Sequence, residues 1–289
     1  MFGTQIHLKE KRDALKISGR ITFFTFLTII ALVWLFPFFL MVNTSFKDIS
    51  QLVLNDIWAF PKPYETESWN QAFKALDFVQ SFFTSLLVTI FSNFFIVLFS
   101  SLAAWQISRS KKWYAKFLFY LLLIVMIVPF QAIMLPLISV MAKMSFINLP
   151  GLIFMYTGFG MSLSIFMMTG FLKSVPISLE EVARVEGYNP IRVYFKIILP
   201  LLRPIITTIV ILNTMWIWND FLLPYLVYQQ NQNGFTTTVV KLYDGLVGTY
   251  GTDYTALMAG LTILIIPITI FFIFVQKNII SGITNGAVK

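Results

Sequence analysis

Long apolar segments dominate this chain and restrict its fold more than any other feature. Six of them alternate with polar loops, at about residues 21–42, 79–107, 113–142, 152–172, 197–218 and 254–275. Each is about long enough to cross the ~30 Å hydrocarbon core of a bilayer as a helix. Because a helix satisfies its own backbone hydrogen bonds in lipid, we predict an all-α membrane protein with six transmembrane helices. Pro129 and Pro136 predict a kink in the third helix.

The distribution of basic residues predicts the orientation in the membrane. Sixteen of the 21 Lys and Arg residues lie in 1–20, 109–116, 173–203 and 277–289, which six spans place on one side. The other side holds five basic residues and eight of the 13 acidic ones. Since basic loops stay in the cytoplasm, we predict that both termini and the 173–203 loop are cytoplasmic. The net charge of +8 therefore reflects membrane topology and gives no reason to expect nucleic acid.

The chain lacks the residues that most enzyme and metal sites need. It has no cysteine, and its one histidine, His7, lies in a polar tail. The phosphate-binding pattern G-x-x-x-x-G-K-[ST] does not occur, so the chain is not expected to hydrolyse ATP. No charged residue lies in the middle of a predicted span, which leaves no paired carboxylates at membrane depth. We therefore expect that the chain is not an enzyme and holds no cofactor of its own.

The most polar long segment in the second half, residues 175–204, has the signals of two short helices with a sharp break between them. Ser178 and Glu181 have the spacing of a capping box, and Glu180 is four residues before Arg184. Leu179, Val182 and Ala183 are predicted to share one face of this first helix.

The break between the two helices is predicted by three residues. Gly187 can take the left-handed conformation that ends a helix, and Asn189-Pro190 is a favourable start for the next one. We therefore expect a small amphipathic helix at the membrane surface, angled against the span that follows.

The spacing within this loop also carries a family resemblance. The residues concerned are Glu181, Val182, Ala183, Gly187, Ile197, Leu199 and Pro200. They resemble the EAA loop, E-A-A, three residues, G, nine residues, I-x-L-P, of permease subunits in binding-protein-dependent ABC importers. Val182 departs from the usual alanine. The resemblance implies a cytoplasmic coupling helix that sits in a groove of an ATPase; the competing interpretation is an interfacial helix without a partner.

Four further segments are similar to the carbohydrate-importing, maltose-type branch of these permeases. They are 37–47 (PFFLMVNTSFK), 128–143 (VPFQAIMLPLISVMAK), 218–224 (WNDFLLP) and the closing GAVK at 286–289. The resemblance implies a bacterial inner-membrane subunit surrounded by lipid and paired with a second homologous permease. It also implies two ATPase subunits, which bind the ATP and Mg²⁺, and an extracytoplasmic sugar-binding protein. The predicted organisation is a tail at 1–20, a permease domain at 21–280 and a tail at 281–289.

Polar residues near the outer end of the fifth span are candidates for a substrate pathway. The group consists of Asn213, Trp216, Trp218, Asn219 and Asp220. Amides and a carboxylate hydrogen-bond hydroxyl groups, and aromatic faces cover sugar C–H surfaces, so the group suits a carbohydrate. Tryptophans at a span end are equally typical of interfacial anchors. Asn43, Asn93 and Gln131 are also polar, and Asn93 is expected to join helices.

Two interpretations stay open for the outer loop at 229–252, which either contacts a pathway or binding protein or is simply solvated. For the whole chain, the leading hypothesis is the permease of an ABC importer for a sugar or oligosaccharide. A self-contained secondary transporter is the alternative, although such proteins commonly use charged residues inside the membrane. An intramembrane enzyme is disfavoured by the missing catalytic residues.

Overall fold

The computed structural model describes residues 2–54, 57–231, 234–248 and 251–287, with side chains within 19–53, 57–231, 234–247 and 253–277. In these ranges the chain is helical almost throughout, which confirms the all-α class. The α-helices are α1 (Phe2–Ser45), α2 (Ile49–Leu54), α3 (Glu67–Ala75), α4 (Phe78–Arg109), α5 (Trp113–Ile127), α6 (Phe130–Lys143), α7 (Leu149–Leu172), α8 (Ser178–Val185), α9 (Pro190–Val193), α10 (Leu199–Leu201), α11 (Arg203–Asn219), α12 (Leu222–Gln230), α13 (Thr238–Leu246) and α14 (Tyr254–Ala287). A π-helical segment, Tyr194–Ile198, lies between α9 and α10, and strands β1 (Val247–Gly248) and β2 (Gly251–Thr252) pair with each other.

Within the described residues, four helical segments are long and apolar enough to cross a membrane on their own. They are Gly19–Ser45 of α1, Phe78–Arg109, Leu149–Leu172 and Tyr254–Lys277 of α14. These segments coincide with the predicted first, second, fourth and sixth spans.

The predicted third and fifth spans are each formed by two helices with a sharp bend. The axes of α5 and α6 differ by 105°, and Pro190–Leu201 and α11 differ by 72°. The first bend falls at Val128, which is extended because the following Pro129 disfavours a helical conformation there. Pro136, in contrast, lies inside α6 without ending it. The predicted kink is therefore a break, and six spans result if each bent pair counts as one.

The chain divides into two compact units, of which the first comprises Met1–Ala72 and Gly251–Thr262. Here the segment after α1 is held by hydrogen bonds to its own carbonyl groups. Asn43 Nδ2 donates to the Ala59 carbonyl at 3.0 Å, and the buried Lys47 Nζ donates to the Ile57 carbonyl at 2.8 Å. The polar group of Asn43 thus serves to fix this loop.

The second unit comprises Phe73–Tyr250 and Ile263–Lys289, and α4 and α7 pack at its centre. Small residues allow this close approach: a Cβ atom added at Gly160 would lie 2.4 Å from Ile96 Cδ1. Asn93 Nδ2 donates to Thr214 Oγ1 of α11 at 3.2 Å, which confirms the prediction that Asn93 joins helices. One hydrophobic cluster gathers around Ile96 and Tyr156, and another around Leu172 under the 175–204 loop.

The predicted domain boundaries stay a prediction. Residues 288–289 of the 281–289 tail, which include part of the GAVK segment, lie outside the described residues.

Candidate functional site

Helix α8 forms the first half of the 175–204 loop, but it does not begin with a capping box. Ser178 is its first helical residue and Ile177 its N-cap, and no side chain caps the helix. Glu180 and Glu181 instead place negative charge in the first turn, where it favours the positive end of the helix dipole. The predicted capping box between Ser178 and Glu181 is wrong because the serine hydroxyl lies one position too far into the helix.

The apolar residues of α8 differ in how deeply they are buried. Ala183 is buried in the cluster around Leu172, whereas Leu179, Val182 and Val185 are 44%, 58% and 89% exposed. Leu179, Val182 and Ala183 follow one another along one side of α8, as the spacing predicts, but only Ala183 turns toward the bundle. Glu181 is exposed beside Val182. The outward face of α8 is thus apolar with a carboxylate at its side, the composition of a surface that a partner covers.

The turn after α8 follows the prediction. Gly187 has a φ of +82°, the left-handed conformation that glycine adopts at little energetic cost. The Tyr188 N–H donates to the Ala183 carbonyl at 3.0 Å, which closes the helix end. Asn189 then caps α9, its Oδ1 accepting from the Arg192 N–H at 2.8 Å, with Pro190 at the start of the helix. The chain therefore reverses between two short helices as expected.

The segment that ends at Ile197, Leu199 and Pro200 contains a feature that the sequence did not indicate. Tyr194–Ile198 is π-helical, with the Leu199 N–H donating to the Tyr194 carbonyl. Pro200 has no N–H for the next bond, so a widened turn before it is physically consistent. Ile197 and Leu199 pack on the cluster under the loop, where Ile198 and Leu202 are fully buried.

Glu180 makes contacts that local sequence rules did not predict. Its side chain is 2% exposed and accepts hydrogen bonds from Arg109 Nε at 2.7 Å and Trp105 Nε1 at 2.9 Å. The expected pair with Arg184 is wrong, because Glu180 is on the buried face of α8 and Arg184 is exposed. Glu180 lies three residues before Ala183, so the two side chains share one face of α8. This spacing is the one sequence signal that Glu180 is on the buried face.

The predicted pathway group lies along the last turns of α11, and the structure divides it between several surroundings. Asn213, Trp216 and Asp220 border two small cavities beside α5, α6 and α7. Trp218 is directed toward α4, its ring 5.7 Å from that of Phe82. Asn219 is exposed and donates to the Met215 carbonyl at 2.7 Å. Three of the five predicted residues are therefore brought together.

Trp216, like Phe159, borders both of the small cavities. The first, of about 250 Å³, is lined by Val125, Met126, Val128, Phe159, Gly160, Ser162, Leu163, Asn213 and Trp216. The second, of about 180 Å³, is lined by Phe130, Gln131, Phe159, Trp216, Asp220, Leu222 and Leu223. The Trp216 ring is 41% exposed and packs edge-on against Tyr156 at 5.5 Å. Aromatic faces and polar groups thus border the same space, an arrangement suited to a sugar ring.

Polar groups with free hydrogen-bonding capacity lie at these cavities. The buried Ser162 Oγ has no hydrogen-bond partner, and Asn213 Nδ2 makes only a long bond of 3.4 Å to Ser164 Oγ. Asp220 accepts from the Tyr156 hydroxyl at 2.9 Å. The pKa of the Asp220 carboxyl is raised above its usual value because the group is buried. Hydrogen bonds from Tyr156 and from neighbouring backbone N–H groups offset only part of this effect.

A third cavity, larger than these two, has a different character. It measures about 940 Å³ between α4, α11 and α14, and is lined almost entirely by apolar side chains such as Phe94, Val210 and Phe271. Of the predicted pathway residues, only Trp218 reaches it. Thr89, Asn93 and Thr214 also border it, but so few polar groups replace only a small part of the bonds that a sugar makes to water, so this cavity is a weaker pathway candidate.

The segment at 229–252, which was predicted to be an outer loop, contains a helix, α13, that the sequence did not indicate. Tyr228 and Asp244 connect α12 and α13 through a hydrogen bond of 2.8 Å, and Tyr243 packs on Phe221 at 5.2 Å. Residues 232–233 and 249–250 of this segment lie outside the described residues. Both interpretations of the segment stay open.

Known proteins resemble this chain over most of its length. Residues 96–285 match the profile of a family described as binding-protein-dependent transport system inner membrane component. The chain is 38% identical over 266 residues to the probable starch degradation products transport system permease protein AmyC of Thermoanaerobacterium thermosulfurigenes, covering 92% of this chain and 96% of that protein. It is 34% identical over 270 residues to the multiple sugar-binding transport system permease protein MsmG of Streptococcus mutans, with coverages of 92% and 96%.

A solved structure shares the fold. It is a chain of a bacterial ABC transporter involved in the import of the acidic polysaccharide alginate, with a TM-score of 0.75 and 20% identity. The match covers 91% of this chain and 96% of that chain. At this identity the likeness concerns the arrangement of helices.

Proposed function

The chain belongs to the family of binding-protein-dependent transport system inner membrane components, and we propose that its cargo is a sugar or an oligosaccharide. Membership makes it a multi-pass membrane subunit of an ABC importer, which is not the self-contained secondary transporter of the alternative hypothesis. The relatives named for starch degradation products and for multiple sugars support a carbohydrate cargo.

The observation that carries the cargo proposal is the surroundings of Trp216. Its exposed ring borders two cavities that also present the Asn213 amide, the Ser162 hydroxyl and the Asp220 carboxylate. Aromatic faces bury the apolar side of a sugar ring, and the polar groups replace the bonds that its hydroxyls lose with water. In this role Trp216 and Asn213 contact the sugar as it passes.

The energy for transport is assigned to other chains. The proposed assembly contains a second homologous permease, two ATPase subunits that bind ATP and Mg²⁺, and an extracytoplasmic sugar-binding protein. The exposed face of α8 with Leu179, Val182 and Glu181 docks on one ATPase, and Gly187 sets the angle of this helix. Ile197 and Leu199 fix the second half of the loop against the bundle, and Pro200 lies in the first turn of α10 that follows. Both termini are assigned to the cytoplasm.

The experiment is uptake by proteoliposomes that contain the complete importer, with its binding protein added outside and ATP enclosed. Labelled neutral oligosaccharides, glycerol 3-phosphate and an amino acid are compared. ATP-dependent accumulation of a sugar alone is the expected result. Accumulation of glycerol 3-phosphate or of the amino acid without any sugar would overturn the cargo proposal. Uptake without ATP would overturn the proposal that ATPase subunits supply the energy.

A further inference from the structure

Glu180 is a buried carboxylate whose bonds extend beyond its own helix. Its Oε1 accepts from Arg109 Nε at 2.7 Å, and its Oε2 accepts from Trp105 Nε1 at 2.9 Å. Arg109 is the last residue of α4, and Trp105 lies one turn before it. A buried carboxylate is tolerated when one oxygen is paired with an opposite charge and the other accepts a hydrogen bond, as in Glu180. Helix α8 is therefore attached to the end of α4 by two side chains.

Arg109 also attaches the end of α7. Its two terminal nitrogens donate to the Leu172 carbonyl at 3.0 Å and to the Val175 carbonyl at 3.1 Å. Leu172 is the last residue of α7, where a cation is favoured by the helix dipole. One planar guanidinium thus connects α4, α7 and α8, a geometry that a lysine cannot reproduce.

The same face of α4 holds the second half of the loop. Ser101, Trp105 and Arg109 follow one another at intervals of four residues, so they share one face of the helix. The Ser101 hydroxyl lies 2.6 Å from the Tyr194 hydroxyl, and the Trp105 ring stacks on the Tyr194 ring at 5.9 Å. Both arms of the 175–204 loop are consequently bound to one strip of α4.

From these contacts we propose that Arg109, Trp105 and Glu180 are positioning residues that join α8, α4 and α7 into one rigid body. The inference rests on the proposed docking of an ATPase on the outer face of α8. When the bound ATPase displaces α8, the ion pair passes that displacement to α4 and α7, the two helices at the centre of the second unit. Glu180 thus fixes the helix from within, while its neighbour Glu181 stays free for the partner.

The test measures how much sugar enters for each ATP hydrolysed, using the complete importer in proteoliposomes. Glu180→Gln keeps a partner for Trp105 but removes the charge that holds Arg109. We expect the complex to assemble and hydrolyse ATP, with the ratio of transported sugar to ATP falling about tenfold, within the usual range of coupling between sites. The control is Glu186→Gln, which changes an exposed carboxylate at the C-terminal end of the same helix and should leave the ratio unchanged.

A second variant distinguishes lost rigidity from lost folding. Because the chain has no cysteine, Arg109→Cys with Glu180→Cys introduces a single pair of thiols that a short bifunctional reagent can join. The experiment uses partner subunits from which cysteines have been removed. We expect a low ratio before cross-linking and recovery afterwards, because the covalent bridge replaces the ion pair.

Three results would overturn the inference while the proposed function stands. These are a normal ratio in Glu180→Gln, a normal ratio in the double variant before cross-linking, and a low ratio that cross-linking does not restore. Failure of the wild-type complex to move sugar, or to retain its ATPase, would instead overturn the proposed function.

Discussion

At the scale of single residues, the 175–204 loop depends on one backbone conformation. Gly187 adopts a φ of +82°, and no heavy atom lies within 4 Å of the position where a Cβ atom would be. Any effect of a substitution there comes from the backbone conformation, since space for a side chain is available. A residue that tolerates the left-handed region should therefore be accepted, and a β-branched one should not.

We expect Gly187→Val to cost about 1–3 kcal/mol of local stability and to lower the amount of ATPase recovered with the purified permease. Gly187→Asn should retain most of the complex, because asparagine visits this region more readily. Gly158→Val is the control, since Gly158 also has open space but an ordinary φ. Equal recovery of ATPase with valine and asparagine at 187 would contradict the prediction.

Trp216 provides a second prediction at this scale. An aromatic contact is worth about 0.5–1.5 kcal/mol, so Trp216→Ala should raise the KM for sugar uptake roughly two- to tenfold. Trp216→Phe should be closer to the wild type because it keeps an aromatic face. Trp113→Ala removes another exposed tryptophan, at the start of α5, and should leave the KM unchanged. A normal KM in Trp216→Ala would remove this residue from the pathway.

At the scale of elements, the packing of α4 on α7 depends on a missing side chain. A Cβ atom at Gly160 would lie 2.4 Å from Ile96 Cδ1 and 3.0 Å from Ile96 Cγ1. Because Ile96 is completely buried, its side chain has little freedom to move aside. The two helices can approach this closely only while position 160 is a glycine or the opposite side chain is shortened.

Gly160→Val should therefore destabilise the subunit by about 1–3 kcal/mol, the usual range for overpacking. Combining it with Ile96→Ala should restore part of the loss, since the shorter side chain makes room. Thermal unfolding in detergent measures both effects, and Gly158→Val on the same helix is the control. If the double variant is less stable than either single one, the two residues do not compete for this space.

The outer face of α8 gives a prediction about a whole surface. Val182→Asp places a charge in the apolar face and should abolish recovery of the ATPase while leaving membrane insertion intact. Val53→Asp, at an even more exposed valine of α2, should have no effect on recovery. Normal recovery with Val182→Asp would show that α8 does not dock through this face.

Sequence rules predicted elements whose causes are local and failed where the cause lies elsewhere in the chain. The turn at Gly187 and Asn189 follows from residues next to each other, so it was predictable. Glu180 was expected to pair with Arg184 four residues on, but its partner is Arg109, 71 residues earlier. Hydrophobicity located the spans and Pro129 indicated a kink in the third one, but neither indicated that α5 and α6 bend by as much as 105°.

At the scale of the whole molecule, the bent helices decide how often the chain crosses the membrane. Helices α5 and α6 have 15 and 14 residues, so each is only about 21–23 Å long and cannot span a ~30 Å core alone. If the pair crosses, the 175–204 loop lies on the same side as the N-terminus. If it enters and returns on one side, the loop is on the opposite side. The second bent pair sets the side of the C-terminus in the same way.

The distribution of basic residues favours a membrane crossing by each bent pair. The 173–203 loop holds five Lys and Arg residues and the 277–289 segment holds two, and basic segments stay in the cytoplasm. Single cysteines in this cysteine-free chain test it through labelling of intact cells with an impermeant thiol reagent. We expect Lys62→Cys and Lys241→Cys to react from outside, whereas Arg184→Cys and Lys277→Cys react only after the membrane is opened. Labelling of position 184 from outside would mean that α5 and α6 form a re-entrant pair, and would place α8 out of reach of a cytoplasmic ATPase. Protection at 184 with labelling at 277 would assign the re-entrant geometry to the second pair instead.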